Sequence, residues 1–205
     1  MQLPISTDRL TIRRWKESDW KDQVEYTTDE GVAQYEFWDN TTWAKESKIV
    51  EWIRSQNTLE IPTLGIWVEF ALELKDQGKV IGDVGIKYLS DENRTAEVGW
   101  TLNPRFQKEG FATEAATAFI TACCESLKLH RITSRCDARN RDSYRLMERL
   151  GFRREAHHVK ACFVKDKWCD EFVYAILNTE WHAATAPNQR IEPDRPDCSV
   201  CGGAP

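Results

Sequence analysis

Between Arg94 and Asp137 the chain reads as strand, glycine loop, long helix, strand. "RTAEVGWTL", Arg94–Leu102, has strand composition, and Pro104 stops it. From near Gly110, the residues Ala112, Ala115, Ala116, Phe119, Ile120, Cys123 and Leu127 recur every three or four positions, which builds one apolar helix face. "RITSRCD" then returns as a strand. A strand–helix–strand unit of this kind is a crossover, so its two strands must run parallel.

The rest of the chain is antiparallel in character. Arg9–Arg14 alternates as a first strand. Glu17–Thr28 and Ala44–Gln56 have helical periods, with Thr41 or Thr42 as a cap for the second. In the second strand, Ile66, Val68, Phe70, Leu72 and Leu74 share one face, and Trp67, Glu69, Ala71 and Glu73 share the other. "KDQGK" turns into a third strand, Val80–Tyr88. After the crossover, Asn140–Leu150 is a short helix closed by Gly151, and "VKACFV", "KDKW" and "CDEFVYAIL" form a last hairpin. The expectation is an α+β fold: a mixed, mostly antiparallel sheet of about seven strands with about four helices, strands 4 and 5 parallel. No internal repeat is visible.

A chain of 205 residues suits one domain burying roughly 70% of its unfolded surface. That domain is expected over 1–182, followed by a mobile tail over 183–205 where Ala, Pro, Asp and Gly dominate. A net charge of −5 argues against a general nucleic-acid binder and suits a cationic partner. The run Ala115–Cys124 is too short to cross a bilayer, and charges follow at once on the first residues, unlike a signal peptide. A cytoplasmic protein is expected, with no membrane partner. The seven cysteines are odd in number and scattered through strands and helices, the usage of a reducing compartment. Cys198 and Cys201 make half a zinc site at most, and adjacent His157 and His158 point to opposite strand faces, so no metal is expected.

"QKEGFATEA", Gln107–Ala115, places Gly110 at the mouth of the long helix. Unpaired N–H groups at the positive end of a helix dipole form an anion site, and a glycine lets an anion approach the backbone; the same glycine can be a plain N-cap. The loop is neither a Walker loop nor a three-glycine dinucleotide fingerprint.

"AEVGWTLNPRFQKEGFATEA" followed by "RNRDSYRLMERLGFRRE" resembles the GNAT acetyltransferases, and within them the RimJ/RimL-like group. The acetyl-CoA signature [QR]-x-x-G-x-[GA] is met by Gln107, Gly110 and Ala112, and the next block by Asn140, Ser143, Gly151 and Phe152. "TDRLTIRRW", "VIGDVGI" and "WCDEFVYAILNTEW" extend the resemblance over about Leu3–Trp181.

The resemblance implies a GNAT fold and acetyl-CoA as co-substrate. N–H groups of Lys108, Glu109, Gly110, Phe111, Ala112 and Thr113 would hold the pyrophosphate. The backbone of Trp100, Thr101 and Leu102 would pair with the pantetheine arm, which Asn140 would also bond. Lys108, Arg139, Arg141 and Arg145 would be available to the 3′-phosphate. Acetyl transfer to an amine would use Glu97 as base, with Asp83 and Asp170 as weaker candidates, and Ser143 as the proton donor to sulfur. A backbone N–H near a bulge in strand 4 would polarise the carbonyl, as the family does, although the sequence shows no bulge. Many GNAT enzymes carry a Tyr where this chain has Met147, and Tyr144 lies at a different helical angle. No cysteine reads as a nucleophile. Tyr35, Glu36, Trp38, Asp39, Trp168 and Asp170 would attract and sandwich a cationic acceptor. The group name implies a protein N-terminus. A small amine such as a polyamine or aminoglycoside, and a non-catalytic acyl-CoA-binding module, are the alternatives. The family also admits a homodimer.

Overall fold

The computed structural model describes residues 1–38 and 40–185. Asp39 and the tail from 186 on, with Cys198 and Cys201, lie outside the described residues. Eight strands form one sheet in the order β1-β2-β3-β4-β5-β6-β8-β7. They are β1 Ile5–Ser6, β2 Leu10–Arg13, β3 Trp67–Leu74, β4 Lys79–Ser90, β5 Thr95–Leu102, β6 Arg131–Asp137, β7 Arg153–Val164 and β8 Lys167–Leu177. The helices are α1 Trp20–Thr27, α2 Glu30–Ala33, α3 Asn40–Trp43, α4 Glu46–Thr58, α5 Phe111–Leu127, α6 Arg141–Arg149 and α7 Asn178–Thr185.

The strand beyond the expected seven is the two-residue β1, too short to carry a readable alternation. The extra helices α2, α3 and α7 are short or end the sheet, where apolar periodicity has no room to show. Thr41 and Thr42 lie within α3, and Lys45 is the residue that precedes α4.

The period-two reading of β3 sorts the molecule into two layers. Val68, Phe70 and Leu72 are buried on the face that receives α5, whose Ala115, Ala116, Phe119, Ile120 and Cys123 are also buried. Phe119 packs its ring 5.6 Å from that of Phe70. Each such large side chain contributes roughly 1.5–3 kcal/mol by leaving water. On the opposite face, Ala71 and Val80 meet Trp15 and the α4 residues Ile49 and Ile53. That face is only partly covered by helices, and its uncovered part is the cleft.

The sheet is antiparallel throughout except β5 against β6, the one parallel strand pair among the described residues. These two strands pair over three residues only, Thr95–Glu97 with Arg131–Thr133. Beyond Glu97, β5 continues to Leu102 bonded to β4, while β6 continues to Asp137 bonded to β8. The sheet therefore splays, and the edge of β5 facing β6 is free from Val98 to Leu102. The β4–β5 register is regular along that stretch; its irregularity lies between Tyr88 and Ser90, on β4.

Candidate active site

The glycine loop sits at the open end of the splay. Gly110 is the N-cap of α5 with φ +86°, a left-handed conformation that L side chains seldom adopt. Lys108 precedes it at φ +67°. The first N–H groups of α5 have no acceptor within the helix and point out of it. The N-terminal strands brace the loop. Glu114 accepts from the Thr7 hydroxyl at 2.6 Å, the Arg9 N–H at 2.8 Å and Arg9 Nε at 2.7 Å. Arg9 Nη1 in turn donates to the Glu109 carbonyl at 3.0 Å, and its guanidinium lies 4.2 Å over the Phe111 ring. Phe111 is buried in the core and Glu109 is exposed, so those two residues can contribute to an anion only through their backbone. Gln107 Nε2 donates to the Leu102 carbonyl at 3.0 Å and ties the loop to the free edge of β5.

Across the splay stands the start of α6. Asn140 caps it, its Oδ1 accepting from the Ser143 N–H at 3.2 Å, which leaves the Asn140 amide N–H groups for the cleft. Burial pushes the Cys136 thiol up to about 12, opposed by Ser143. Cys136 is thus protonated at neutral pH and no nucleophile. Met147 is fully buried in the core, and Tyr144 packs edge-on against Phe172 at 5.6 Å. Ser143 alone of these three lines the cleft. Arg139 is bound to Asp137 at 2.6 Å and lies 6.0 Å over the Tyr35 ring; Arg141 and Arg145 are exposed.

The acceptor side follows from register. Trp67, Lys87 and Glu97 form one row across β3, β4 and β5; Glu69, Gly85 and Gly99 form the next; Ala71, Asp83 and Thr101 form the third. A Cβ on Gly85 would stand 3.2 Å from Trp67 Cε3, and one on Gly99 3.3 Å from Trp67 Cη2. The two glycines make room for the indole, which lies over them as the floor of a cleft of about 1120 Å³.

At one end of this floor is Glu97, 8% exposed, with Arg135 Nε at 3.7 Å from its carboxylate. Burial raises its pKa, opposed by the charges of Arg135 and Lys87 and reinforced by Glu171. Arg135 also reaches Glu171 at 3.5 Å. At the other end are Glu36, Glu69 and Asp83. Asp83 accepts from the Tyr26 hydroxyl at 2.9 Å, and Tyr26 and Thr101 hold its pKa down against burial. Burial raises all three acids above the carboxylate range, Glu36 to about 7, with Asp83 pushing both Glu36 and Glu69 further. Trp38 lines this end, its Nε1 donating to the Thr27 carbonyl at 3.0 Å, and Trp43 and Trp52 continue the wall with ring centroids 5.4 Å apart.

Of the residues expected to hold an acceptor, Tyr35, Glu36, Trp38 and Asp170 line the cleft. Asp170 is occupied by His157 Nε2 at 2.7 Å and the Lys160 N–H at 2.9 Å, which lower its pKa. Trp168 is 62% exposed at the far end of the hairpin, stacked on Phe163 at 5.2 Å and away from the cleft lining. Gln23, Tyr26, Trp67 and Glu69 were not anticipated as site residues. Gly85 and Gly99 carried the available signal, since glycine inside a strand marks a close approach.

Comparison with known proteins agrees with this geometry. A model of the acetyltransferase (GNAT) domain matches residues 9–153. An uncharacterized N-acetyltransferase, YnaD of Bacillus subtilis, is 34% identical over 87% of this chain and 99% of its own. The crystal structure of a GNAT-family acetyltransferase from Bacillus anthracis, 31% identical, covers 87% of this chain and 100% of that one with a TM-score of 0.72. A ribosomal-protein-serine acetyltransferase of Escherichia coli is 29% identical over 49% of this chain and 56% of its own.

Proposed function

The chain belongs to the GNAT family of acetyl-CoA-dependent N-acetyltransferases, and we propose that it transfers the acetyl group to the N-terminal amine of a protein. The observation that carries the proposal is the splay. A free strand edge and a helix N-terminus on one side meet an acid-lined, open cleft on the other, with Glu97 and Ser143 at the junction. The resemblance in part to the Escherichia coli ribosomal-protein enzyme favours a protein acceptor.

The residues present fit acetyl-CoA. The N–H groups opening α5 suit its phosphates, the β5 edge from Trp100 to Leu102 suits the amides of its arm, and Asn140 has amide donors to spare. Acetyl-CoA supplies the acetyl group as a thioester. Glu97, its pKa raised by burial, accepts the proton of the incoming amine directly or through a water. N–H groups on the free β5 edge polarise the carbonyl without a bulge in that strand. Ser143 gives a proton to the departing sulfur, a role that Met147 cannot fill. Positioning two reactants on one splayed sheet supplies much of the remaining acceleration. Five free thiols among the described residues support a reducing compartment such as the cytoplasm, and no described helix is long and apolar enough to cross a membrane.

The test is acetylation of peptides with varied N-termini, with fragment-ion mass spectrometry to locate the acetyl group. The proposal expects it on the α-amine, and expects Ser143→Ala to lower kcat on the order of 100-fold while acetyl-CoA affinity holds. Acetyl found only on side-chain amines, or only on added polyamines or aminoglycosides, would replace the protein N-terminus as acceptor.

A further inference from the structure

The two ends of the acceptor cleft differ in charge balance. At the Glu97 end the carboxylates of Glu97 and Glu171 are matched by Arg135 and Lys87, and Lys87 Nζ lies 5.9 Å over the Trp67 ring. At the other end, Glu36, Glu69 and Asp83 face the cleft together. Among the described residues no side-chain cation lies within ion-pair distance of any of them. Lys165, exposed and hydrogen-bonded to the Trp38 carbonyl, acts on Glu36 only through its field. Asp83 has its donor in Tyr26, but no side chain donates to Glu36 or Glu69 in the described structure.

An independent feature lines the same cleft, one helical turn before Tyr26, which donates to Asp83. Gln23 on α1 is 2% exposed, and its Oε1 is buried with no hydrogen-bond donor. A buried carbonyl without a donor costs about 1–3 kcal/mol. An N–H group arriving in the cleft would remove that cost, and only a donor would; an anion would meet three acids and another acceptor.

We propose that this end of the cleft is a subsite for a second ammonium group of the acceptor, held by Glu36, Glu69 and Gln23 between the walls of Trp38 and Trp43. The true acceptor is then a dication, with its reacting amine at Glu97 and a second cation beyond the Trp67 floor. This rests on the amine-transfer reading and refines its substrate class. The division of labour has a physical reason. An attacking amine must be neutral, and an excess of carboxylates would hold it protonated. The balanced Glu97 end suits the amine that reacts, and the far end, whose raised carboxyls release protons as a second ammonium arrives among them, suits the one that stays charged.

The register gives the spacing. From Glu69 across Gly85 to Gly99 is two interstrand steps, and Glu97 lies two residues along β5. That separates the subsites by on the order of 10 Å. A linear chain of roughly eight bonds spans this distance at about 1.3 Å per bond. A peptide with lysine at its second position and a long diaminoalkane share that chemistry, and the assay separates them.

The experiment compares kcat/KM for a peptide with Lys against Ala at position two, and for 1,7-diaminoheptane against heptylamine. Calorimetry measures binding of the last two to the protein without acetyl-CoA. The proposal expects a dication preference of roughly 10- to 100-fold in turnover or binding. Glu69→Gln, and separately Glu36→Gln in the half-buried segment after α2, should reduce that preference to near unity. A preference seen with the peptide pair alone, or with the amine pair alone, identifies the source of the cation. Equal constants for mono- and dications, or a preference that survives both variants, would overturn the subsite. If nothing is acetylated but the diamine still binds more tightly than heptylamine, and Glu69→Gln abolishes the difference, the subsite stands and the transfer reading fails.

Discussion

Substituting Gly110 by alanine tests whether the loop binds through its backbone shape. At φ +86° an L residue is strained by about 1–2 kcal/mol. The new Cβ would lie 3.4 Å from Arg9 Nη2, the mobile end of a long side chain, so steric conflict adds little. The size of the effect is therefore the strain, and the question is where it appears. If the loop keeps its shape when empty, the cost falls on folding. A loss of 1–2 kcal/mol then lowers Tm by about 2–8 °C for a domain of this length. If the empty loop relaxes, the cost falls on binding and weakens acetyl-CoA by about 5- to 30-fold. Differential scanning calorimetry and titration calorimetry on the same samples measure both parts, whose sum should be about 1–2 kcal/mol. Gly110→Asn should cost less, because Asn enters the left-handed region more readily. A variant with unchanged Tm and unchanged affinity would refute the assignment of this loop as a shape-determined anion site.

Three further outcomes follow from the cleft. Glu97 must be deprotonated to accept a proton, and burial raises its pKa, so kcat/KM should rise with pH along a limb lying above the ordinary carboxylate range near 4.3; Glu97→Gln should remove that limb and cost about 10²–10⁴-fold in kcat. Gly99→Ala should displace the Trp67 indole, 3.3 Å from the new Cβ, and raise KM for the acceptor while acetyl-CoA affinity, measured separately, stays within about twofold. The raised carboxyls also fix a sign for stability. Glu36 binds its proton more tightly folded than unfolded, so between about pH 4.5 and about pH 7 the folded state carries more protons and stability falls as pH rises. Through that window Glu36 contributes a downward slope to a plot of Tm against pH, and Glu36→Gln should remove that share while Glu69 and Asp83, raised in the same way, keep theirs.

Much of this arrangement was legible from local pattern. The crossover from Arg94 to Asp137 dictated the parallel pair, and the parallel pair is where the sheet opens. Gly110, Asn140, Ser143 and Glu97 all face the cleft or cap its helices, because each sits at a fixed offset from a strand end or a helix start. The polar face of β3 was also readable, and it places Trp67 and Glu69 beside Gly85 and Gly99. What the sequence withheld was long-range. Tyr26 meets Asp83 across 57 positions, and Gln23 enters the same cleft, only because α1 crosses the sheet there. Trp168 shows the converse: its aromatic and acidic neighbours look like a binding loop, yet the hairpin carries it past the cleft to stack on Phe163. Charge pairing was invisible for the same reason. Asp170 is one acid among many in the sequence and is occupied in the fold by His157 and Lys160.

Intact-mass spectrometry, with acetyl-CoA added first and a primary-amine peptide second, tests the direct transfer most simply. Burial raises the pKa of each thiol that lines the cleft, Cys136, Cys162 and Cys169, so none of them should carry the acetyl group between the two additions. The account predicts protein of unchanged mass after acetyl-CoA alone, and acetylated peptide once the amine is present. An acetyl increment on Cys136 that disappears as the peptide gains it would contradict the account, as would failure to acetylate any amine while acetyl-CoA is bound.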